Sequence, residues 1–74
     1  MEKDMYTTLI HIFDYSLGNH YAIAQNEDKE AAISETVSRA SEIFTQEFID
    51  AKKPYEVSII YPSGKRKVRI INKP

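Results

Sequence analysis

The span from Asn26 to Pro54 most constrains what this chain can fold into. Ile33, Val37, Ala40, Phe44, Phe48 and Ala51 recur at steps of three and four, which places them on one stripe of a helix. Ala32, Ile43 and Ile49 widen the stripe, while Glu35, Arg39, Glu42 and Gln46 fall on the opposite face. Asn26 is a good N-cap, and Glu27, Asp28 and Glu30 follow it near the positive end of the helix dipole. Lys52 and Lys53 suit the last turn, and Pro54 cannot continue a helix. The pattern predicts one long amphipathic helix that must lay its stripe on another element.

The flanking segments supply that element. Tyr6 to Tyr15 is rich in β-branched and aromatic residues and reads as a strand; His20 to Gln25 returns after a turn at Ser16-Leu17-Gly18-Asn19. Pairing Tyr15 with His20 sets Ile12 across from Ile23 and Asp14 across from Tyr21. One face then carries Tyr6, Ile10, Ile12, Tyr21 and Ile23, and this isoleucine-rich face is expected to meet the helix. The other face carries Leu9, His11, Phe13, Tyr15, His20, Ala22 and Ala24. Tyr55 to Tyr61 and Arg66 to Asn72 form a second hairpin around Pro62-Ser63-Gly64. An even-membered loop pairs Tyr61 with Arg66, Ile59 with Val68 and Val57 with Ile70, and sends Lys67 and Arg69 outward with Ser58 and Ile60. A three-residue loop with a bulge at Gly64 breaks this pairing, and the residues allow either.

The expected fold is therefore α+β, a single domain over residues 1–74. It is a two-layer β-β-α-β-β arrangement, with one helix on a four-stranded antiparallel sheet in the order 2-1-3-4. A chain of 74 residues buries a modest core, about 60% of its unfolded surface. It has no cysteine, so neither disulfides nor thiol chemistry enter. Met1-Glu2-Lys3-Asp4 is charged, with no apolar run after it of the kind a signal peptide needs, and no stretch approaches the length of a membrane span. The expectation is a cytoplasmic protein with no membrane contact. The net charge of −1 conceals a split. Residues 1–51 carry ten acids against three bases, and residues 52–74 carry seven bases against one acid. Such a split suits a partner of one sign at one end of the molecule.

The residues do not assemble a catalytic constellation. His11 and His20 share a face in the expected pairing but stand too far apart along the hairpin for one metal ion. Asp14, Tyr15 and Ser16 read as polar residues entering a turn, without a base and its orienting group in reach. With Gly18 and Gly64 as the only glycines, neither phosphate-binding glycine motif is present. The reading is of a non-enzyme that needs neither cofactor nor metal. Ser34, Ser38, Ser41 and Thr45 form a small polar row on the helix flank. Two features rise above this background. Lys65, Arg66, Lys67 and Arg69 beside Tyr61 form a basic hairpin tip that could hold phosphates and stack a base. One helix also covers only one face of the sheet, which leaves Leu9, Phe13, Tyr15 and Ile60 as an apolar patch rimmed by His11, His20, Lys67 and Arg69.

At Phe48-Ile49-Asp50-Ala51-Lys52-Lys53, continuing to Glu56-Val57, the chain resembles the corresponding segment of the phage Dmd antitoxin family. Members of that family are very small, with a hairpin, a helix and a further strand in the same order. They bind and block endoribonuclease toxins of the RnlA/LsoA type. The resemblance covers about ten residues closely, and this chain departs from the family in its fourth strand and basic tip. It implies a phage-type inhibitor that occludes a larger protein. The residues themselves favour a protein-interaction module working through Leu9, Phe13, Tyr15 and Ile60. The alternative is a nucleic-acid-binding module using Tyr61, Lys65, Arg66, Lys67 and Arg69, and a third is a homodimer that seals its own open face.

Overall fold

A computed structural model describes residues 4–14, 18–44 and 54–71. Strand β1 (Tyr6–Asp14) and strand β2 (Gly18–Asn26) form the first hairpin, helix α1 (Lys29–Ile43) follows, and β3 (Tyr55–Ile60) and β4 (Arg66–Ile71) form the second. The four strands make one antiparallel sheet in the order β2-β1-β3-β4. The expected α+β architecture and strand order are both present, with the helix packed on one face.

The helix is shorter than its sequence pattern. Its N-cap is Asp28 rather than Asn26: the Asp28 carboxylate accepts from the Ala31 amide at 2.9 Å. Asn26 instead turns the chain into the cap, its Oδ1 accepting from the Asp28 amide at 2.9 Å. At the other end Phe44 is already extended, with φ −77 and ψ 150, although its amide still donates to the Ala40 carbonyl. Leaving helical geometry there lets the Phe44 ring seat against Tyr55, 6.2 Å between centroids, and against His20 at 6.4 Å. The expected continuation through Phe48, Ile49, Ala51, Lys52 and Lys53 lies outside the described residues. Ile43, counted as part of the apolar stripe, is 47% exposed.

The core holds Ile10, Ala22, Ile33, Ala40, Phe44, Tyr55, Val57 and Ile59, with Tyr6, Ile12, Val37, Tyr61 and Ile71 packed against it. Ile10 and Ile12 face the helix as expected, but the β2 residues beside them are not the expected ones. The observed register pairs Leu9 with Ile23, His11 with Tyr21 and Ile12 with His20. This is three residues away from the expected pairing, because β2 begins at Gly18 opposite Asp14. The offset is odd, so every β2 side chain changes face. Ala22 and Ala24 now lie under α1, and Tyr21 and Ile23 point away. The physical gain is close approach: Ala22 and Ala24 meet a helix face that presents Ala32 and Ala40, all four essentially buried.

Two buried threonines join the layers where helix and sheet meet. The Thr8 hydroxyl donates to the Ala32 carbonyl at 2.7 Å, and Thr36 donates to the Thr8 carbonyl at 3.1 Å. The two hydroxyl oxygens lie 2.9 Å apart. Both residues are fully buried, so these bonds satisfy groups that water cannot reach.

The second hairpin adopts the bulged alternative. The Gly64 amide donates to the Tyr61 carbonyl, and the Tyr61 amide donates to the Lys65 carbonyl, which closes a three-residue loop over Pro62-Ser63-Gly64. Gly64 sits at φ 91, the left-handed position that such a loop requires. The resulting register pairs Ser58 with Val68, Val57 with Arg69 and Glu56 with Ile70, one residue off the even-loop pairing. Lys67, Arg69 and Ile71 therefore share the helix-side face, and Arg66, Val68 and Ile70 the opposite one.

Candidate protein-binding face

The sheet face away from α1 is built from alternate residues of all four strands. Across it, the register aligns Gln25, Thr7, Ile60 and Arg66 in one row and Ile23, Leu9, Ser58 and Val68 in the next. Tyr21 and His11 continue the pattern on one hairpin, and Glu56 and Ile70 on the other. Phe13 and Asn19 extend it toward the first turn. Phe13, Tyr21, Ile23, Ile60, Val68 and Ile70 are all large apolar side chains open to solvent, from 39% exposed at Ile60 to 58% at Val68. Soluble monomers rarely leave so many neighbouring apolar side chains open.

Polar contacts on this face hold the side chains in place. The His11 and Tyr21 rings stack with centroids 4.7 Å apart, and His11 Nε2 lies 2.9 Å from Asn19 Oδ1. Gln25 donates to the Thr7 hydroxyl at 3.0 Å, and the Arg66 guanidinium lies inward to reach the Ser58 hydroxyl at 3.2 Å. These cross-strand bonds pair the polar groups of the face with one another.

Of the residues expected on this face, Leu9, Phe13 and Ile60 lie on it, and Tyr15 lies outside the described residues. Its expected rim is only partly right. His11 is on the face, whereas His20 lies on the helix side beside Phe44. The two histidines therefore stand on opposite faces rather than sharing one. Lys67 and Arg69 are also on the helix side. Arg69 Nη1 reaches both Glu30 carboxylate oxygens, at 2.9 and 3.0 Å, which ties β4 to the first turn of α1. Tyr21, Ile23, Val68 and Ile70 belong to the face although the expected registers assigned them to the core. Their signals in sequence were Gly64 at the third loop position and the pair of small residues, Ala22 and Ala24, that suits a tightly seated helix.

The basic hairpin tip is divided rather than gathered. Arg66 turns to the open face, while Lys67 and Arg69 turn to the other. Tyr61 packs edge-on against Tyr6 at 5.4 Å, and its ring receives the ammonium groups of Lys67 at 5.6 Å and Lys29 at 5.7 Å. On the helix flank, Ser41 bonds back to the Val37 carbonyl, Ser34 and Ser38 are exposed, and Thr45 lies outside the described residues. Arg39 crosses from α1 to the Ile23 carbonyl on edge strand β2.

Among the described residues no group of three histidine or carboxylate side chains is placed to hold a metal ion, and no helix is long and apolar enough to cross a membrane. No family model, curated protein or solved structure matches the chain.

Proposed function

We propose that the protein is a non-enzymatic protein-interaction module that binds through the open face of its sheet. The observation that carries this reading is the exposure of Tyr21, Ile23, Ile60, Val68 and Ile70 together on one face of the four-stranded sheet. These apolar side chains flank His11, Ser58 and Glu56 on the central strands, with Gln25, Asn19 and Arg66 at the margins, and such a mixture of aromatic, aliphatic and polar groups suits a recognition surface. The inhibitor role implied by the resemblance at residues 48–53 is one form that such a module takes. A nucleic-acid reading of Tyr61, Lys65, Arg66, Lys67 and Arg69 has less support, because these groups point to two faces and Arg69 is already matched by Glu30.

The test is a charge in the middle of the face. Ile23 is about half exposed, so Ile23→Asp leaves the fold intact by circular dichroism and thermal melting and abolishes association with protein. An Ile23→Asp variant that unfolds, or that associates as the parent does, defeats the reading. Salt-steep binding of the parent to single- or double-stranded nucleic acid at micromolar concentration makes the basic hairpin the better candidate.

A further inference from the structure

We infer that the partner seated on the open face is a second copy of this chain, related by a two-fold axis that runs parallel to the strands. The inference rests on the protein-binding reading of the face and names its occupant. Stacking two such faces makes an aligned sandwich of two four-stranded sheets, a packing that antiparallel sheets adopt readily.

The pattern of residues selects the axis. A two-fold parallel to the strands, passing between β1 and β3, lays β2 of one copy over β4 of the other and β1 over β3, with rows kept in step. Ile23 then meets Val68 of the other copy, and Tyr21 meets Ile70. Thr7 lies over Ile60, and Gln25 over Arg66. Continued past Leu9 and Ser58, the β1–β3 register puts His11 and Glu56 of one chain in the same row, and the axis lays each of them over its counterpart in the other copy, His11 over Glu56. Apolar side chains thus meet apolar ones at both edges, and Glu56 meets His11 between them. The other in-plane axis, perpendicular to the strands, lays each strand on its own copy. Passed through the Leu9–Ser58 row at the middle of the face, that axis sets Glu56 over Ile60 and Arg66 over Ile70, burying both charges against hydrocarbon. Charge and apolar pattern together therefore favour the parallel axis.

The size fits as well. At about 4.8 Å per strand and about 3.3 Å per residue, the face measures about 19 Å by about 23 Å. Side-chain relief raises the accessible area of each copy above that projection, so two copies bury about 1,000 Å², near the lower bound for a specific interface. A dimer of this size dissociates on dilution.

The chain has no cysteine, so engineered thiols report without background. Ile23 and Val68 lie on opposite edge strands, three strand spacings or about 14 Å apart within one chain, too far for an internal disulfide. Treated with a short bifunctional methanethiosulfonate that spans the gap of about 10 Å between stacked sheets, the Ile23→Cys/Val68→Cys double variant is expected to form a covalent dimer at twice the chain mass, reversed by reductant. Either single variant is expected to stay monomeric on the same gel. Cross-linking by Ile23→Cys alone overturns the parallel axis, and a ladder of higher species overturns the closed pair. Sedimentation of the unmodified protein over a wide concentration range is expected to show a monomer–dimer equilibrium that Ile23→Asp shifts wholly to monomer. A parent that stays monomeric yet holds a different protein, which Ile23→Asp releases, overturns the second copy and leaves the binding face standing. A monomeric parent whose binding to other proteins ignores Ile23→Asp overturns both.

Discussion

Replacing Thr8 and Thr36 by valine, singly and together, tests how the helix is attached to the sheet. Valine keeps the shape of threonine and exchanges only the hydroxyl for a methyl. Thr8→Val removes the 2.7 Å bond to the Ala32 carbonyl, and Thr36→Val removes the 3.1 Å bond to the Thr8 carbonyl. Each hydroxyl carries one proton and both go to carbonyls, so the 2.9 Å approach of the two oxygens adds no third bond. A buried neutral hydrogen bond is worth about 1 kcal/mol net, so each single change should cost about 1–2 kcal/mol. The two bonds have separate protons and separate carbonyl acceptors, so the double variant should cost about the sum of the singles, within about 0.5 kcal/mol. For a domain of this length, 1 kcal/mol lowers the melting temperature by about 4–8 °C. Urea denaturation at fixed protein concentration measures all three costs, the concentration being held because association adds to apparent stability. Two neutral singles would refute the hydroxyl bonds as the joint between the layers.

Two further changes probe the core and the second turn. Phe44 is buried between Tyr55 and His20, and Phe44→Ala should cost about 3–5 kcal/mol out of a total of about 4–11 kcal/mol, enough to abolish a cooperative melt near room temperature. A melt like that of the parent would contradict the placement of Phe44 in the core. A Cβ at Gly64 meets nothing within 4 Å, so Gly64→Ala is penalised through its φ of 91 alone. The expected cost is about 1–2 kcal/mol by chemical denaturation, with Gly64→Asn milder, and equal stability of parent and Gly64→Ala would contradict the left-handed turn.

The two-layer architecture was legible because its signals are strong and repeated. The stripe Ile33, Val37 and Ala40 has helical spacing and packs as that spacing requires, while Phe44 reaches the core from extended backbone just past the helix. Strand order followed from chain connectivity and from the need to cover one face. The helix ends were less legible. Asn26 and Asp28 are both sound caps, and the choice between them falls to which oxygen reaches an amide: Asn26 takes the Asp28 amide, and Asp28 takes that of Ala31. The buried threonines were not legible at all. Threonine at position 8 suits an exposed strand residue and at position 36 an exposed helix residue, and only their meeting across the layers gives them bonding partners.

The composition of the open face depends on hairpin registers, which are the least local property of the chain. On β3 and β4, Val57, Ile59, Val68 and Ile70 pair apolar on apolar in an even loop, and hydrophobic matching alone favours that solution. The turn decides otherwise. Pro62 presets the entering φ, and Gly64 accepts the left-handed exit, so three residues form the loop and the strand arrives one position early. That slip carries Val68 and Ile70 from the helix side to the open side and brings Lys67 and Arg69 back. Arg69 then meets Glu30, and Lys67 meets the Tyr61 ring, so the displaced charges gain partners near the helix. On the first hairpin, Ala22 and Ala24 give way to α1 where Tyr21 and Ile23 would hold it off. Both register changes move large apolar groups outward, onto the same face. Hydrophobic matching within each hairpin would have buried these side chains, and turn geometry and helix approach expose them together. The same backbone constraints that assemble the core therefore assemble the face on which the proposed interaction rests.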